Sequence, residues 1–171
     1  MTDKKGIIIH GSSRSDGDTM ASAEYLSSLS HYPIIDLGPL VINHFDYNFS
    51  HDDDDFLSTM EEVLQYDVLI FATPVYWYSM SGRMKVFLDR FTDLLNHKKS
   101  MGHALKGKEM ALISSSSEEK LNADFNQAFK LSADYLQMKF IGHAHTWMEN
   151  DTHSPQAKRN LEELFEECKN D

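Results

Sequence analysis

Lys5-Gly6-Ile7-Ile8-Ile9-His10-Gly11-Ser12-Ser13-Arg14-Ser15-Asp16-Gly17-Asp18-Thr19 sets the reading of the whole chain. A short β-branched run stops at a glycine, a small hydroxyl-rich loop follows, and the sequence reads as helix from about Thr19 to Ser30. Strand, small-residue loop and helix N-terminus together can hold a phosphate. The first N–H groups of a helix have no partner, and its dipole puts partial positive charge there. Gly11 and Gly17 permit close backbone approach, Ser12, Ser13, Ser15 and Thr19 offer hydroxyls, and Arg14 offers a charged fork. The same stretch also reads as an ordinary βα turn with a capped helix start. Neither G-x-G-x-x-G nor G-x-x-x-x-G-K-[ST] occurs, which argues against a Rossmann dinucleotide site and a P-loop NTPase.

A chain of 171 residues suits one domain, 1–171, with a proper core. Its formal net charge of −11 argues against a nucleic-acid partner and means that any anionic ligand is held by local donors against the overall field. The lone Cys168 excludes an internal disulfide and a cysteine-cluster metal site. Met1-Thr2-Asp3-Lys4-Lys5 leads into only three isoleucines, too short for a signal-peptide core or a membrane span, so a cytoplasmic location and no membrane partner are expected.

Further along, Pro33–Leu37 reads as a second strand and Leu40–Ser50 as a loop without period. His51-Asp52-Asp53-Asp54-Asp55 offers metal-ligand types, but acidic residues also favour a helix start, and Phe56, Met60, Val63 and Leu64 follow at helical spacing. Asp67–Pro74 is continuously apolar, as expected of a central parallel strand covered on both faces. The aromatic loop Val75-Tyr76-Trp77-Tyr78-Ser79-Met80-Ser81-Gly82 precedes one helix over Arg83–His97, and a connector runs to Gly107. Lys108–Ser114 is the fourth strand, Ser115–Glu119 a polar loop, Leu121–Gln137 a helix and Lys139–Trp147 the fifth strand. A last helix after Pro155 presents Leu161, Leu164, Phe165 and Cys168 on one face, which makes Cys168 a packing residue. Five strands alternating with five helices predict an α/β fold: a five-stranded parallel sheet between two helical layers. In such sheets ligands bind beyond the carboxyl ends of the strands where strand order reverses; in the order 2-1-3-4-5 that is between the first and third strands, the FMN position in flavodoxin. The hydroxyl-rich and aromatic loops follow those two strands.

One loop can grip a phosphate and the other offers flat side chains beside it, a pairing that suits FMN. Tyr76, Trp77 and Tyr78 would equally serve core packing or an oligomer interface. With Gly11–Thr19 and Thr73–Arg90 as carriers, the chain resembles the NAD(P)H-dependent FMN reductase family of the flavodoxin-like fold, which includes quinone and azo-compound reductases. The resemblance implies a flavodoxin-like three-layer sandwich of order 2-1-3-4-5, FMN as cofactor, NADPH or NADH as donor, and a homodimer or homotetramer. Hydride would pass to bound FMN and two electrons onward to a small-molecule acceptor: a quinone, an azo compound or a flavin. It assigns Ser12, Arg14, Gly17, Asp18 and Thr19 to the FMN phosphate, and Pro74, Val75, Tyr76, Trp77, Ser79 and Met80 to the ring, with Ser114 and Ser115 beside it. Lys85 and Asp89-Arg90 fall on the helix that in the family helps form a dimer.

Two departures stand out. Asp18 replaces the usual Asn; facing a phosphate it is repulsive, so it either caps the helix with its side chain aside or weakens FMN binding. The loop after the fourth strand, commonly glycine-bearing, is Ser114-Ser115-Ser116-Ser117. No side chain need act as acid or base. The rival readings are a flavodoxin-type electron carrier, whose T-x-T-G-N-T loop is absent, a flavin-free binding domain on the same fold, and a metal hydrolase using His143, His145 and His153. A serine hydrolase lacks its G-x-S-x-G elbow.

Overall fold

The computed structural model describes residues 4–170, so the N-terminal Met1-Thr2-Asp3 lies outside the described residues. In chain order the elements are β1 (Gly6–His10), α1 (Asp18–Ser30), β2 (Ile34–Asp36), α2 (Asp55–Val63), β3 (Val68–Pro74), α3 (Gly82–Asp89), α4 (Phe91–Asn96), α5 (Lys99–Ala104), β4 (Glu109–Ser115), α6 (Gln127–Tyr135), β5 (Lys139–Thr146), β6 (Met148–Glu149), β7 (Thr152–His153) and α7 (Pro155–Lys169). Five strands form one sheet in the order β2-β1-β3-β4-β5, every neighbouring pair parallel. This is the flavodoxin-like arrangement.

The apolar run of β3 is buried at every position because both faces of the sheet are covered. On one face Ile7, Ile9, Leu69, Phe71, Met110 and Leu112 pack with Phe56, Phe87, Phe91 and Phe129; on the other, Ile8, Ile70, Ala111 and Ile113 pack with Ala23, Leu26, Leu161 and Leu164. The alternation along each strand thus feeds two separate cores. Cys168 is buried in the second, and burial pushes its thiol up to about 12, so it packs and does not react. No helix of the described residues is long and apolar enough to cross a membrane.

Several elements differ from their sequence reading. The described residues hold seven helices, not five. The single helix expected over Arg83–His97 breaks at Arg90, the C-cap of α3. Its guanidinium turns inward, 0% exposed, to bond the carboxylates of Asp54 and Asp93 and the carbonyls of Asn43 and His51. The connector before Gly107 contains α5, and a small antiparallel hairpin, β6–β7, follows β5. The helix read from Leu121 begins only at Gln127, since Asn122 instead makes an Asx turn through the N–H of Asp124. The acidic run is a helix start: the Asp54 carboxylate accepts from the N–H of Phe56, and among the described residues no group of three or more metal-ligating side chains occurs.

Candidate active site

Three loops leave the carboxyl ends of β1, β3 and β4. The first is tied down at its start. The N–H of Gly11 donates to the carbonyl of Ala72 (2.9 Å), and the Ser81 hydroxyl donates to the carbonyl of Gly11. A Cβ at Gly11 would lie 2.9 Å from Met84 Cε and 3.2 Å from Met84 Cα, so a side chain here would crowd the start of α3 against which this loop seats. Ser81 also accepts from the N–H of Met84, capping α3, while Thr73 accepts from the N–H of Ser81. At β2, the Asp36 carboxylate takes the Gly38 N–H and His10 Nδ1; burial opposes its ionisation, but these bonds and one from Ser15 hold it below the usual carboxylate range.

The start of α1 is left open. Gly17 is its N-cap and contributes no side-chain bond, whereas Asp54, Ser81 and Ser154 cap α2, α3 and α7. Arg14 lies over this opening: a Cβ on Gly17 would be 3.0 Å from its Nη2. Ser12 and Thr19 are buried, and the Thr19 hydroxyl bonds that of Ser115. Asp18 stands exposed at the first helical position and does not cap the helix, which corrects that expectation. Its charge acts on His153 of β7.

The aromatic loop is a tight turn. The N–H of Tyr76 donates to the carbonyl of Ser79 (2.9 Å) and the N–H of Ser79 returns the bond to Tyr76 (3.1 Å). Between them Trp77 (φ 49°) and Tyr78 (φ 65°) both take left-handed backbone. Two successive positive φ values are those of a type I′ turn, normally built from Asn-Gly, and two aromatic residues there are strained. Both residues stand outward, 94% and 76% exposed. Tyr76 bends back to the first loop: a hydrogen bond from Ser13, then Ser12 and the charge of Arg14, lower its phenol pKa below its usual 10 against the opposing effect of burial.

The third loop completes the wall. The carbonyl of Ser115 accepts from the N–H of Val75 (2.8 Å), joining β4 to the aromatic turn. A cleft of about 530 Å³ opens between Val75, Trp77 and Tyr78 on one side and residues 116–122 on the other. None of Ser12, Arg14, Gly17 and Thr19 lines it; Ser12 and Arg14 act on Tyr76 beside it, and Thr19 reaches the third loop through the Ser115 hydroxyl. Pro74 is buried in β3 and Met80 packs against the core, while Ser79 is exposed. Ser114 stands apart: its hydroxyl is buried and bonded to His143 Nε2 and His145 Nδ1, both at 2.8 Å. The sequence reading gave Glu118 to a polar loop with no role and began a helix at Leu121, and so missed the Glu118, Lys120, Leu121 and Asn122 wall; the Asn122-x-Asp124 turn signal marks the segment from Leu121 as loop. His153 bonds Ser22, away from His143 and His145, so the three histidines do not converge on one metal.

These features fit FMN. The open N–H groups and Arg14 match a phosphate dianion, and the exposed aromatic faces match a flat ring. The family model for the NADPH-dependent FMN reductases matches residues 5–153. YwqN of Bacillus subtilis (strain 168), provisionally named an NAD(P)H-dependent FMN-containing oxidoreductase, is 38% identical over 99 residues, a match covering 52% of this chain and 52% of that protein. The chain thus spans about half the length of that curated relative. Among solved structures, the Trp repressor binding protein of Bacillus subtilis superposes with a TM-score of 0.71 at 24% identity over 96% of both chains. An NADPH-quinone reductase of P. pentosaceus gives 0.67 at 18% identity over 98% of both. These two likenesses concern the fold. With the family model matched along most of its length, the chain belongs to the NADPH-dependent FMN reductase family, whose cofactor is FMN and whose chemistry is oxidoreduction.

Proposed function

We propose that the chain, residues 1–171 read as one domain, is an NAD(P)H-dependent FMN oxidoreductase working in the cytoplasm as a homodimer or homotetramer. The observation that carries the reading is the pairing, at the point where strand order reverses, of an uncapped helix start under Arg14 with a strained turn that displays Trp77 and Tyr78. FMN, when bound, takes hydride from a nicotinamide and gives two electrons to an acceptor. The chain's own residues bind and orient. Arg14, Ser12, Thr19 and the N–H groups after Gly17 hold the phosphate. Val75 to Ser79, with Pro74 and Met80 fixing their base, form one wall of the ring site, and the backbone at Ser114 and Ser115 forms its floor. Asp18 opposes the phosphate and keeps FMN affinity below its ceiling. Trp77 and Tyr78 give donor and acceptor a common flat surface to stack against in turn, which suits a quinone, an azo compound or a free flavin.

The test is an absorption spectrum after reconstitution with FMN and desalting, then an oxygen-free titration with NADPH and NADH. Retained flavin bleached by either donor supports the reading. Flavin reduced only by a strong chemical reductant would make the protein an electron carrier, and no retained flavin would overturn the site.

A further inference from the structure

Ser114 joins two histidines on one face of β5 to the loop that walls the cleft, and the bonds along this line have a forced direction. The carbonyl of Glu118 can only accept, so His145 Nε2, 2.9 Å away, carries a proton. Neutral His145 then accepts at Nδ1, and the Ser114 hydroxyl must be its donor (2.8 Å). Having spent its hydrogen, Ser114 Oγ accepts from His143 Nε2 (2.8 Å), leaving His143 Nδ1 to accept from the Asn126 amide (3.3 Å). Asn126 to His143 to Ser114 to His145 to Glu118 is therefore one chain, satisfied by a single pair of tautomers. At its far end Ser116 closes a small ring, donating to the Glu118 carbonyl and accepting from the Glu118 N–H. Phe125 stacks on His143 and Trp147 on His145, which fixes both ring planes.

We propose that His145 and His143 are positioning residues of the cleft: as a neutral Nε2–H pair linked through Ser114, they hold the Glu118 carbonyl and thereby set the 116–122 wall opposite Trp77. The importance of that wall for flavin or substrate rests on the function proposed above. A proton on His145 Nδ1 would point at Ser114, turn its hydroxyl round and drive the His143 proton to Nδ1, against the amide of Asn126. Protonation at one end thus disrupts the other. Of the groups packed around the pair, Lys130 of α6 faces His143 and the imidazoles face each other; β4 and the loop bring serines and the carbonyls of Ser114 and Glu118, which favour a charged His145, and on the α7 side Glu163 and Glu167 line a pocket with His143. Burial, then mutual repulsion and Lys130, lower His143 to about 4, and burial lowers His145, so the chain holds at neutral pH and fails in acid.

The test uses the full chain without flavin, with 15N-labelled histidine, by long-range proton–nitrogen spectra at pH 7. Both imidazoles are expected as Nε2–H tautomers. An Nδ1–H tautomer or an imidazolium at either site would overturn the proposal. Amide hydrogen exchange then reads the wall: His145→Phe is expected to speed exchange at 117–122 about tenfold and leave β3 unchanged, and unchanged exchange at 117–122 would overturn the proposal. Should that variant misfold, Ser114→Ala, which removes the hydroxyl linking the two rings, is expected to leave His145 as the Nε2–H tautomer against the Glu118 carbonyl and to give His143 a mixture of tautomers, and a single unaltered His143 tautomer would count against the chain. With FMN as probe, the wild-type dissociation constant is expected to rise as pH falls towards 4, and the pH dependence to flatten in the variants. A protein with the Nε2–H pair and a slow-exchanging wall that retains no FMN would support the positioning and overturn only the flavin reading.

Discussion

Individual residues at the site trade stability against display. Tyr78, with φ at 65°, spends backbone energy that glycine would not. Tyr78→Gly is expected to stabilise the fold by about 1 kcal/mol and raise Tm by about 2–4 °C while weakening flavin binding. Thermal melts and FMN titration on the same samples check this, and a lower Tm would refute the strain. Asp18 sits exposed in the first turn of α1 with no cap to make. Its carboxylate suits the helix dipole, which is worth about 0.3–1 kcal/mol, but it opposes a phosphate docked at the same N–H groups. Asp18→Asn should therefore tighten FMN by about fivefold with little change in Tm. Unaltered affinity would mean the carboxylate stays clear of the phosphate. None of this strain was visible in the sequence: Trp77-Tyr78 carries no glycine or asparagine to announce a type I′ turn, because exposure of the rings outweighs local propensity there.

At the scale of elements, the strands and the first helix were legible because their signals are local. The β3 run is apolar throughout, and α1 follows a glycine-bearing loop. The break between α3 and α4 was not legible. Leu88, Phe91, Leu94 and Leu95 continue a helical period through Arg90, and only tertiary partners, Asp54 and Asp93, pull its guanidinium inside. Arg90 is thus a core residue on the helix that the family resemblance linked to a dimer. For Asp54, burial favours the neutral acid, but the Arg90 guanidinium and the N–H groups of Asn43 and Phe56 outweigh it and hold the carboxyl below the usual range. Arg90→Ala strands two buried carboxylates and should cost about 3–5 kcal/mol in urea unfolding. Removing the exposed Lys85–Asp89 pair should cost less than about 0.5 kcal/mol. Equal losses would contradict the burial argument. On β5, His143 stays neutral in the folded protein to about 4, while the unfolded chain takes up a proton near its ordinary 6.5. The unfolded state then binds more protons between those values, so stability falls as pH drops from about 6.5 to 4, by about 3 kcal/mol from this residue. His143→Gln should flatten that slope in urea midpoints taken across the range; an identical slope would mean His143 is already charged.

For the whole molecule, strand order decides where function sits. Parallel crossovers of one hand place the loops after β1 and β3 side by side at the reversal, and the acidic surface, −11 overall, leaves local donors to bind any anion. The first two walls of the site could therefore be read from the chain; the third could not, because its polar start, residues 115–119, carries no local sign of a wall, residues 121–126 run on into a helical pattern, and the loop they form is held by His145 of β5. The central claim is that Gly11–Thr19 holds a phosphate while the aromatic turn holds a ring. Riboflavin has the ring without the phosphate, so parallel fluorescence titrations with FMN and riboflavin separate the two. The account expects FMN to bind at least about a hundredfold more tightly, since several charge-assisted bonds of about 1.5–3 kcal/mol each are at stake. It expects Arg14→Ala to narrow that gap by tenfold or more. Equal affinities for the two flavins, or a gap indifferent to Arg14, would contradict it.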